Sequence, residues 1–204
     1  MKKHLMGLVA ATTFVAASLL TTSAFAALGA GTRAPDFTAE ASQAGKDFRF
    51  SLKSALAKGP VVVYFYPAAY TGGCDIEAHT FATQKEKFDA AGATIIGVSA
   101  DSIQRLNTFS SDPAYCAGKF PVASDADGRI AASYGLKLQA AVAGATDVRG
   151  KAIDHGFIPR TTFVIDRDGR IVAAWSSEAD HLRPQDHVSK SLALVQRLQA
   201  AAGH

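Results

Sequence analysis

The sequence is poor in cysteine, with only Cys74 and Cys116 among its 204 residues. They are too far apart for a Cys-x-x-Cys motif, which argues against a dithiol reductase of the thioredoxin type. No Gly-x-Ser-x-Gly or His-Glu-x-x-His occurs, and His155, His181 and His187 lack metal-site spacing. Residues 144–151 (GATDVRGK) have one residue too many between the glycines for a phosphate loop. We therefore expect neither a metal nor a cofactor.

The sequence also lacks a strong excess of charge of either sign. Lys and Arg number 21 and Asp and Glu number 18, for a formal net charge of +3. Scattered charges of both signs give no reason to expect nucleic acid or an anionic membrane as a partner. The length of the chain suits one domain with a proper hydrophobic core.

Long apolar runs are missing except at the N-terminus. There, a short basic start, Met1 to His4, precedes an apolar stretch from Leu5 to Leu20, and small residues ending in Ala24-Phe25-Ala26 follow. This order is typical of a secretory signal peptide, and the apolar run is short for a membrane span. We expect cleavage after Ala26, a folded domain at residues 27–204 and a periplasmic location. A retained N-terminal anchor is the alternative.

The hydrophobic pattern after the leader predicts a single α/β domain. A fully apolar run, Val61 to Tyr66, indicates a central strand that is buried on both faces. The predicted strands are residues 37–41, 48–52, 61–66, 93–99, 120–123, 157–166 and 170–175, and the predicted helices are residues 74–91, 102–111, 127–134 and 185–202. The order favours a thioredoxin-like fold, a central mixed sheet flanked by helices. Residues 135–158 show no clear period and are predicted to be a loop.

One cysteine lies where an α/β sheet usually builds a site, just after the carboxyl end of the central strand. Pro67 ends that strand, and Thr71 is a natural N-cap that places Cys74 at the third helical position. Free backbone N–H groups and the helix dipole there favour the thiolate, which is the reactive form of cysteine. Gly72 and Gly73 weaken a helix start, and we expect them to leave room for a small substrate. The alternative is a flexible helix start with an inert buried cysteine.

The acidic residues beside Cys74 call for a compensating cation. Asp75 and Glu77 both oppose ionisation of a neighbouring thiol. Arg160 is the best candidate, because it directly precedes the predicted strand Thr161 to Ile165. If that strand lies beside the one that ends at Pro67, the guanidinium can contact both the thiol and Glu77.

The sequence resembles the peroxiredoxins, the alkyl-hydroperoxide-reductase and thiol-specific-antioxidant family. The resemblance is carried by Pro67-x-x-x-Thr71-x-x-Cys74, by the preceding Tyr64-Phe65-Tyr66, and by the segment Arg160 to Asp166. These motifs are most similar to the bacterioferritin-comigratory or peroxiredoxin Q branch. The resemblance extends from about Gly31 through the last helix.

The resemblance implies a thiol peroxidase and assigns a role to each motif residue. Cys74 is then the peroxidatic cysteine, Thr71 binds the peroxide oxygen under attack, and Pro67 shields the thiolate. Arg160 stabilises the thiolate and the transition state, and Glu77 orients Arg160. The implied partners are a hydroperoxide substrate and a thioredoxin-like or low-molecular-weight thiol reductant, with the protein acting as a monomer.

The sequence departs from that branch at the position of the second cysteine. Many members carry a resolving cysteine five residues after the peroxidatic one, where this chain has His79. We therefore expect Cys116 to resolve the oxidised Cys74 through an intramolecular disulfide. Reduction by an external thiol is one alternative. A disulfide-exchange protein, or a binding module with a static Cys74–Cys116 disulfide, is another.

Overall fold

The computed structural model describes residues 27–203, so the predicted signal peptide lies outside the described residues. Seven strands and five helices follow one another along the chain. The strands are β1 Thr38–Gln43, β2 Lys46–Ser51, β3 Val61–Phe65, β4 Thr94–Ser99, β5 Val122–Ser124, β6 Thr161–Ile165 and β7 Ile171–Ser176. The helices are α1 Leu52–Leu56, α2 Gly72–Ala90, α3 Ile103–Ser111, α4 Arg129–Ser133 and α5 Pro184–Ala202.

The strands form one mixed sheet with the order β2-β1-β5-β4-β3-β6-β7. β4 pairs in parallel with both β3 and β5, whereas the other neighbouring pairs are antiparallel. Helices cover both faces, which confirms the predicted α/β class with a thioredoxin-like arrangement.

The central strand β3 is buried on both faces, as its uninterrupted apolar sequence predicts. Val62 and Tyr64 point into a cluster that includes side chains of α2, α3 and α5. Val61, Val63 and Phe65 point into a second cluster, on the side of α1 and α4. The alternation of strand side chains thus places one apolar layer on each side of the sheet.

The clearest departures from the sequence prediction concern α1, α2 and β6. The five-residue helix α1 was not predicted, because one turn is too short to show a helical period. It begins where the Ser51 hydroxyl accepts a hydrogen bond from Ser54 N–H. α2 begins at Gly72, before the predicted range 74–91 but directly after the predicted N-cap Thr71. β6 begins at Thr161, since Phe157 pairs instead with Gln139 in an isolated bridge.

Residues 135–158 contain no regular helix or strand, in agreement with the predicted loop. Isolated bridges join Gln139 to Phe157 and Thr146 to Ala152, so that the segment folds back on itself. Within residues 27–203, no helix is both long enough and apolar enough to cross a membrane.

Candidate active site

The turn between β3 and α2 places Cys74 in the first turn of a helix. Thr71 is the N-cap residue by its extended backbone, which makes Cys74 the third helical residue, as predicted. The Thr71 hydroxyl does not cap the helix but donates to the Ala68 carbonyl at 2.7 Å. Backbone N–H groups of Cys74 and Asp75 donate to the Thr71 carbonyl at 2.8 and 2.9 Å. Pro67 lies half-buried at the start of this turn.

The turn contains a residue in an unfavourable backbone conformation. Tyr70 has a φ of 62°, in the left-handed region that a bulky side chain rarely adopts. Such a conformation costs about 1–2 kcal/mol and persists only where surrounding contacts impose it. The turn before the cysteine is therefore held in shape by other parts of the molecule.

Arg160 connects the cysteine to a buried carboxylate. β3 and β6 pair antiparallel with Phe65 opposite Thr161, so the residue before β6 lies beside the end of β3. The Arg160 Nη2 atom lies 3.2 Å from Cys74 Sγ, and Nη1 forms an ion pair with Glu77 Oε2. The structure thus brings Cys74, Arg160 and Glu77 together as the sequence analysis predicts.

The two glycines before Cys74 serve different purposes. A Cβ atom at Gly73 would lie 3.1 Å from Arg160 Nη2 and 3.5 Å from Pro184 Cγ, whereas one at Gly72 would meet nothing within 4 Å. Gly73 therefore leaves room for the guanidinium beside the sulfur. Only Gly72 borders open space of the kind that the sequence analysis expected for both.

The pKa values of Cys74 and Glu77 are raised by burial and lowered by specific partners. Burial raises the pKa of Cys74 above its ordinary value, and Arg160 and the Thr71 hydroxyl oppose that rise. Burial also raises the pKa of Glu77 to about 7, again against the effect of Arg160. The helix N-terminus adds a field that favours the thiolate. Arg160 is thus the strongest single influence that favours ionisation of Cys74.

Cys116 lies in the same apolar cluster as Cys74 but in a different electrostatic setting. Both thiols are free, with Cys74 2% and Cys116 0% exposed. Burial raises the pKa of Cys116 well above its ordinary value, and the charges of Asp112 and Asp75 raise it further. Asp75 was expected to raise the pKa of Cys74, but in the structure its charge raises the pKa of the second cysteine instead. The segment that carries Cys116 is closed by a 2.9 Å hydrogen bond from Ala117 N–H to the Asp112 carbonyl.

His79, which occupies the position of a resolving cysteine in related sequences, lies on the exposed side of α2. Its Nδ1 atom lies 3.0 Å from the Ala114 carbonyl, two residues before Cys116. The side chain thus links α2 to the segment that carries the second cysteine. Within residues 27–203, no group of three or more His, Cys, Asp or Glu side chains is arranged to hold a metal.

A group of charges around two buried aspartates, which the sequence did not reveal, lies beside the turn before Cys74. We call it the clamp: Asp101, Arg105, Asp147, Arg149 and His155. Asp101 lies 2.9 Å from both Arg105 and His155, and Asp147 lies 2.8 Å from Arg105 and 2.7 Å from Arg149. Only the assembled fold brings these residues together. The sequence distinguishes residues 144–151 only as an imperfect phosphate loop, and that pattern does not indicate the ion pairs of the clamp.

Comparison with known proteins agrees with this geometry. The AhpC/TSA family model matches residues 30–174. A chloroplast peroxiredoxin Q of Sedum lineare is 31% identical over 184 residues, which cover 90% of this chain and 86% of that protein. Peroxidoxin BcpB of Mycobacterium tuberculosis is 29% identical with a TM-score of 0.68, over 83% of this chain and 97% of that one. Peroxiredoxin Q of Xanthomonas campestris gives 27% and 0.62, over 80% and 91%.

The chain therefore belongs to the AhpC/TSA family, the peroxiredoxins, and is a thiol-dependent peroxidase that acts on hydroperoxides with a thiol reductant. Within that family its relatives by sequence and by structure are the bacterioferritin-comigratory and peroxiredoxin Q proteins.

Proposed function

We propose that Cys74 is the peroxidatic cysteine and that Arg160 is the group that activates it. The observation that carries the proposal is the 3.2 Å contact between Arg160 Nη2 and Cys74 Sγ at the start of a helix. Glu77 holds the opposite edge of the guanidinium and so fixes its orientation. The five donors of an arginine form a rigid fork, which allows it to serve both groups at once.

The reaction follows from the charges at this site. The Cys74 thiolate attacks one oxygen of the hydroperoxide, an S–O bond forms, and the O–O bond breaks. Cys74 becomes a sulfenic acid, and the leaving oxygen takes a proton to give water or an alcohol. Arg160 is a donor for the oxygens on which negative charge develops. The Thr71 hydroxyl, which donates to the Ala68 carbonyl in this structure, becomes a second donor when it rotates toward the peroxide. By the family resemblance Pro67, half-buried at the start of the same turn, shields the sulfur from bulk water.

We propose that Cys116 completes the cycle. Its thiol condenses with the Cys74 sulfenic acid, which forms the disulfide and releases water, and two external thiols then reduce the disulfide. Both cysteines must move, because the Cα atoms of a disulfide lie within about 7 Å and both segments are packed in the reduced fold. Gly118, which has a φ of 68°, ends the segment of Cys116, and Gly72 and Gly73 weaken the start of α2.

The same proposal includes an extracytoplasmic role. The basic start, apolar run and Ala24-Phe25-Ala26 of the leader support export and cleavage after Ala26. The mature protein, residues 27–204, then acts as a periplasmic monomer, and a thioredoxin-like protein or a low-molecular-weight thiol supplies the electrons. Mass determination of the protein recovered from the periplasmic fraction tests the cleavage site and the location together.

Peroxide consumption tests the assignment of Cys74. Stopped-flow measurement with one equivalent of hydrogen peroxide should show rapid turnover by the wild type and none by Cys74→Ser, because only Cys74 has an activating cation. Circular dichroism confirms that the variant is folded. Turnover that persists in Cys74→Ser and depends on Cys116 would refute the assignment.

Peptide mapping under non-reducing conditions tests the recycling step. After one equivalent of peroxide the wild type should contain an intramolecular Cys74–Cys116 disulfide, and Cys116→Ser should retain Cys74 as a sulfenic acid. If the wild type instead accumulates a stable sulfenic acid or only intermolecular dimers, Cys116 is not the resolving residue. A one-cysteine mechanism with an external thiol then applies.

A further inference from the structure

The clamp and the loop that carries Asp147 contact the backbone of the turn before Cys74 at three polar groups. Asp101 Oδ2 accepts a hydrogen bond from Ala69 N–H at 2.8 Å, and Arg105 Nη2 donates to the Ala69 carbonyl at 3.0 Å. The next carbonyl, that of Tyr70, accepts from Val148 N–H at 3.0 Å. The buried Asp101 thus binds the N–H of Ala69, and the largely buried Arg105 binds its carbonyl.

The second half of the clamp grips the side chain of the same turn. The Arg149 guanidinium carbon lies 3.2 Å from the centroid of the Tyr70 ring. Asp147 holds Arg149 in place through Oδ2, and its Oδ1 atom accepts from the N–H groups of Arg149 and Lys151 at 2.8 and 3.0 Å. The loop around Asp147 is therefore folded tightly and lies directly over the turn.

These contacts account for the left-handed backbone of Tyr70. A bulky residue adopts that conformation only where surrounding contacts impose it. Such contacts lie on both sides of Tyr70, because the clamp binds the peptide groups of Ala69 and Val148 N–H binds the Tyr70 carbonyl. Buried charges are costly unless they are paired and hydrogen-bonded. Here the ion pairs and hydrogen bonds that offset this cost are made at the residues immediately before Thr71 and Cys74.

We propose that the clamp, through Asp101, Arg105, Asp147 and Arg149, positions the groups of the peroxidase reaction. These residues hold residues 68–71 in the shape that presents the Thr71 hydroxyl and Cys74 to the hydroperoxide. They also oppose the unwinding of the α2 start that a Cys74–Cys116 disulfide requires. This inference rests on the proposed role of Cys74 and extends it to the conformational step that follows oxidation.

The two chemical steps place opposite demands on the turn. Oxidation of Cys74 requires the turn to be ordered, because the donors must face the reacting oxygens. Disulfide formation requires the turn to open, because both cysteines are buried in the reduced fold. A weakened clamp should therefore slow the first step and accelerate the second. If the clamp contributed only to global stability, the rates of the two steps would not change in opposite directions.

The test uses the full protein and two clamp variants. Asp147→Asn removes the charge that joins Arg105 to Arg149, and Arg149→Met removes the cation over Tyr70. The matched control is Arg129→Met, which breaks an exposed ion pair with Asp127 on α4, where the Arg129 side chain is 86% exposed. Rapid quenching after hydrogen peroxide, followed by mass spectrometry, separates the sulfenic acid from the disulfide.

We expect Asp147→Asn and Arg149→Met to oxidise at Cys74 on the order of tenfold more slowly and to form the disulfide a few-fold faster. Arg129→Met should match the wild type in both steps. Unchanged rates, or changes of the same sign in both steps, would overturn the inference.

A second measurement needs no peroxide. Amide hydrogen exchange in peptides that cover residues 66–76 should be faster in both clamp variants, with the exchange of β3 and β4 unchanged. Slow exchange equal to that of the wild type would also overturn the inference. If the wild type fails to consume peroxide at Cys74, the proposed function fails, whereas the exchange result still decides whether the clamp holds the turn.

Discussion

The two cysteines differ in their neighbours far more than in their burial. Both belong to one apolar cluster and both are almost completely buried. Arg160 lies against Cys74 and favours its thiolate, whereas the acids Asp112 and Asp75 raise the pKa of Cys116. Burial alone therefore does not make a cysteine inert.

The difference assigns separate tasks to two identical side chains. A thiol with a fixed cation at a helix start is suited to attack, and one surrounded by apolar and acidic groups remains protonated. In the proposed cycle, the second thiol reacts only when the first has become an electrophilic sulfenic acid and both segments have moved. Under that proposal, electrostatics orders the two steps.

The largest expected effect comes from removing the cation at Cys74. Arg160→Met should slow the oxidation of Cys74 by about 10²–10³-fold, the usual loss when one charged or hydrogen-bonding donor to a developing oxyanion is removed. The pKa of Cys74 should also rise, since Arg160 now lowers it. The rate of thiol alkylation against pH should therefore shift to higher pH.

Arg183→Met is the matched control for that variant. Arg183 forms an exposed ion pair with Asp186 at the start of α5, close in chain order to the Pro184 that faces Gly73. Its oxidation rate should equal that of the wild type. An Arg160→Met protein whose alkylation profile coincides with the wild type would show that the guanidinium does not act on the thiol in solution.

A smaller effect is expected from making the surroundings of Cys116 less acidic. Asp112→Asn keeps an oxygen that can accept from Ala114 N–H but removes the charge that raises the pKa of Cys116. Burial remains the larger cause, so alkylation of Cys116 in a Cys74→Ser background should be faster by less than about tenfold, the equivalent of one pKa unit. Asp127→Asn, at an exposed acid on the α4 side, serves as the control. If Asp112→Asn leaves the alkylation rate of Cys116 unaltered, burial alone suppresses the reactivity of that thiol.

The smallest expected effect concerns the free energy of unfolding and comes from His155, a clamp residue near Cys74. Burial by itself lowers the pKa of His155, but hydrogen bonds to Asp101 and to the Gly156 carbonyl raise it above its ordinary value. The protonated ring therefore stabilises the fold fully below that ordinary value, about 6.5, and the stabilisation is lost as pH rises through the raised pKa.

Urea unfolding of wild type and His155→Gln at several pH values measures this contribution. The wild type should have the larger free energy of unfolding in mildly acidic solution, and the difference should shrink as the solution becomes alkaline. A difference that is constant across the pH range would contradict a charged His155 at the clamp.

Local signals in the sequence were sufficient to predict the strand, the helix start and the position of Cys74 in its first turn. The apolar run Val61 to Tyr66 could only be a buried strand, and Pro67 and Thr71 fixed where it ended and where α2 began. Arg160 was predicted from a conditional argument about strand pairing. It succeeded because the pairing of β3 with β6 leaves little freedom for the residue before Thr161.

The clamp could not be predicted because its members lie far apart in the chain. Asp101 and Arg105 follow β4, whereas Asp147, Arg149 and His155 belong to a segment without a periodic pattern. Such a segment has no hydrophobic repeat from which its path can be inferred. Its position depends on ion pairs that form only after the sheet has assembled.

The pairing of β3 with β6 also has a consequence for folding. Arg160 is 86 residues downstream of Cys74 and reaches it only when β6 pairs with β3. A chain in which that pair has not yet formed carries a cysteine without its neighbouring cation. The contact between the guanidinium and the sulfur therefore arises only at the stage of folding at which β6 joins the sheet.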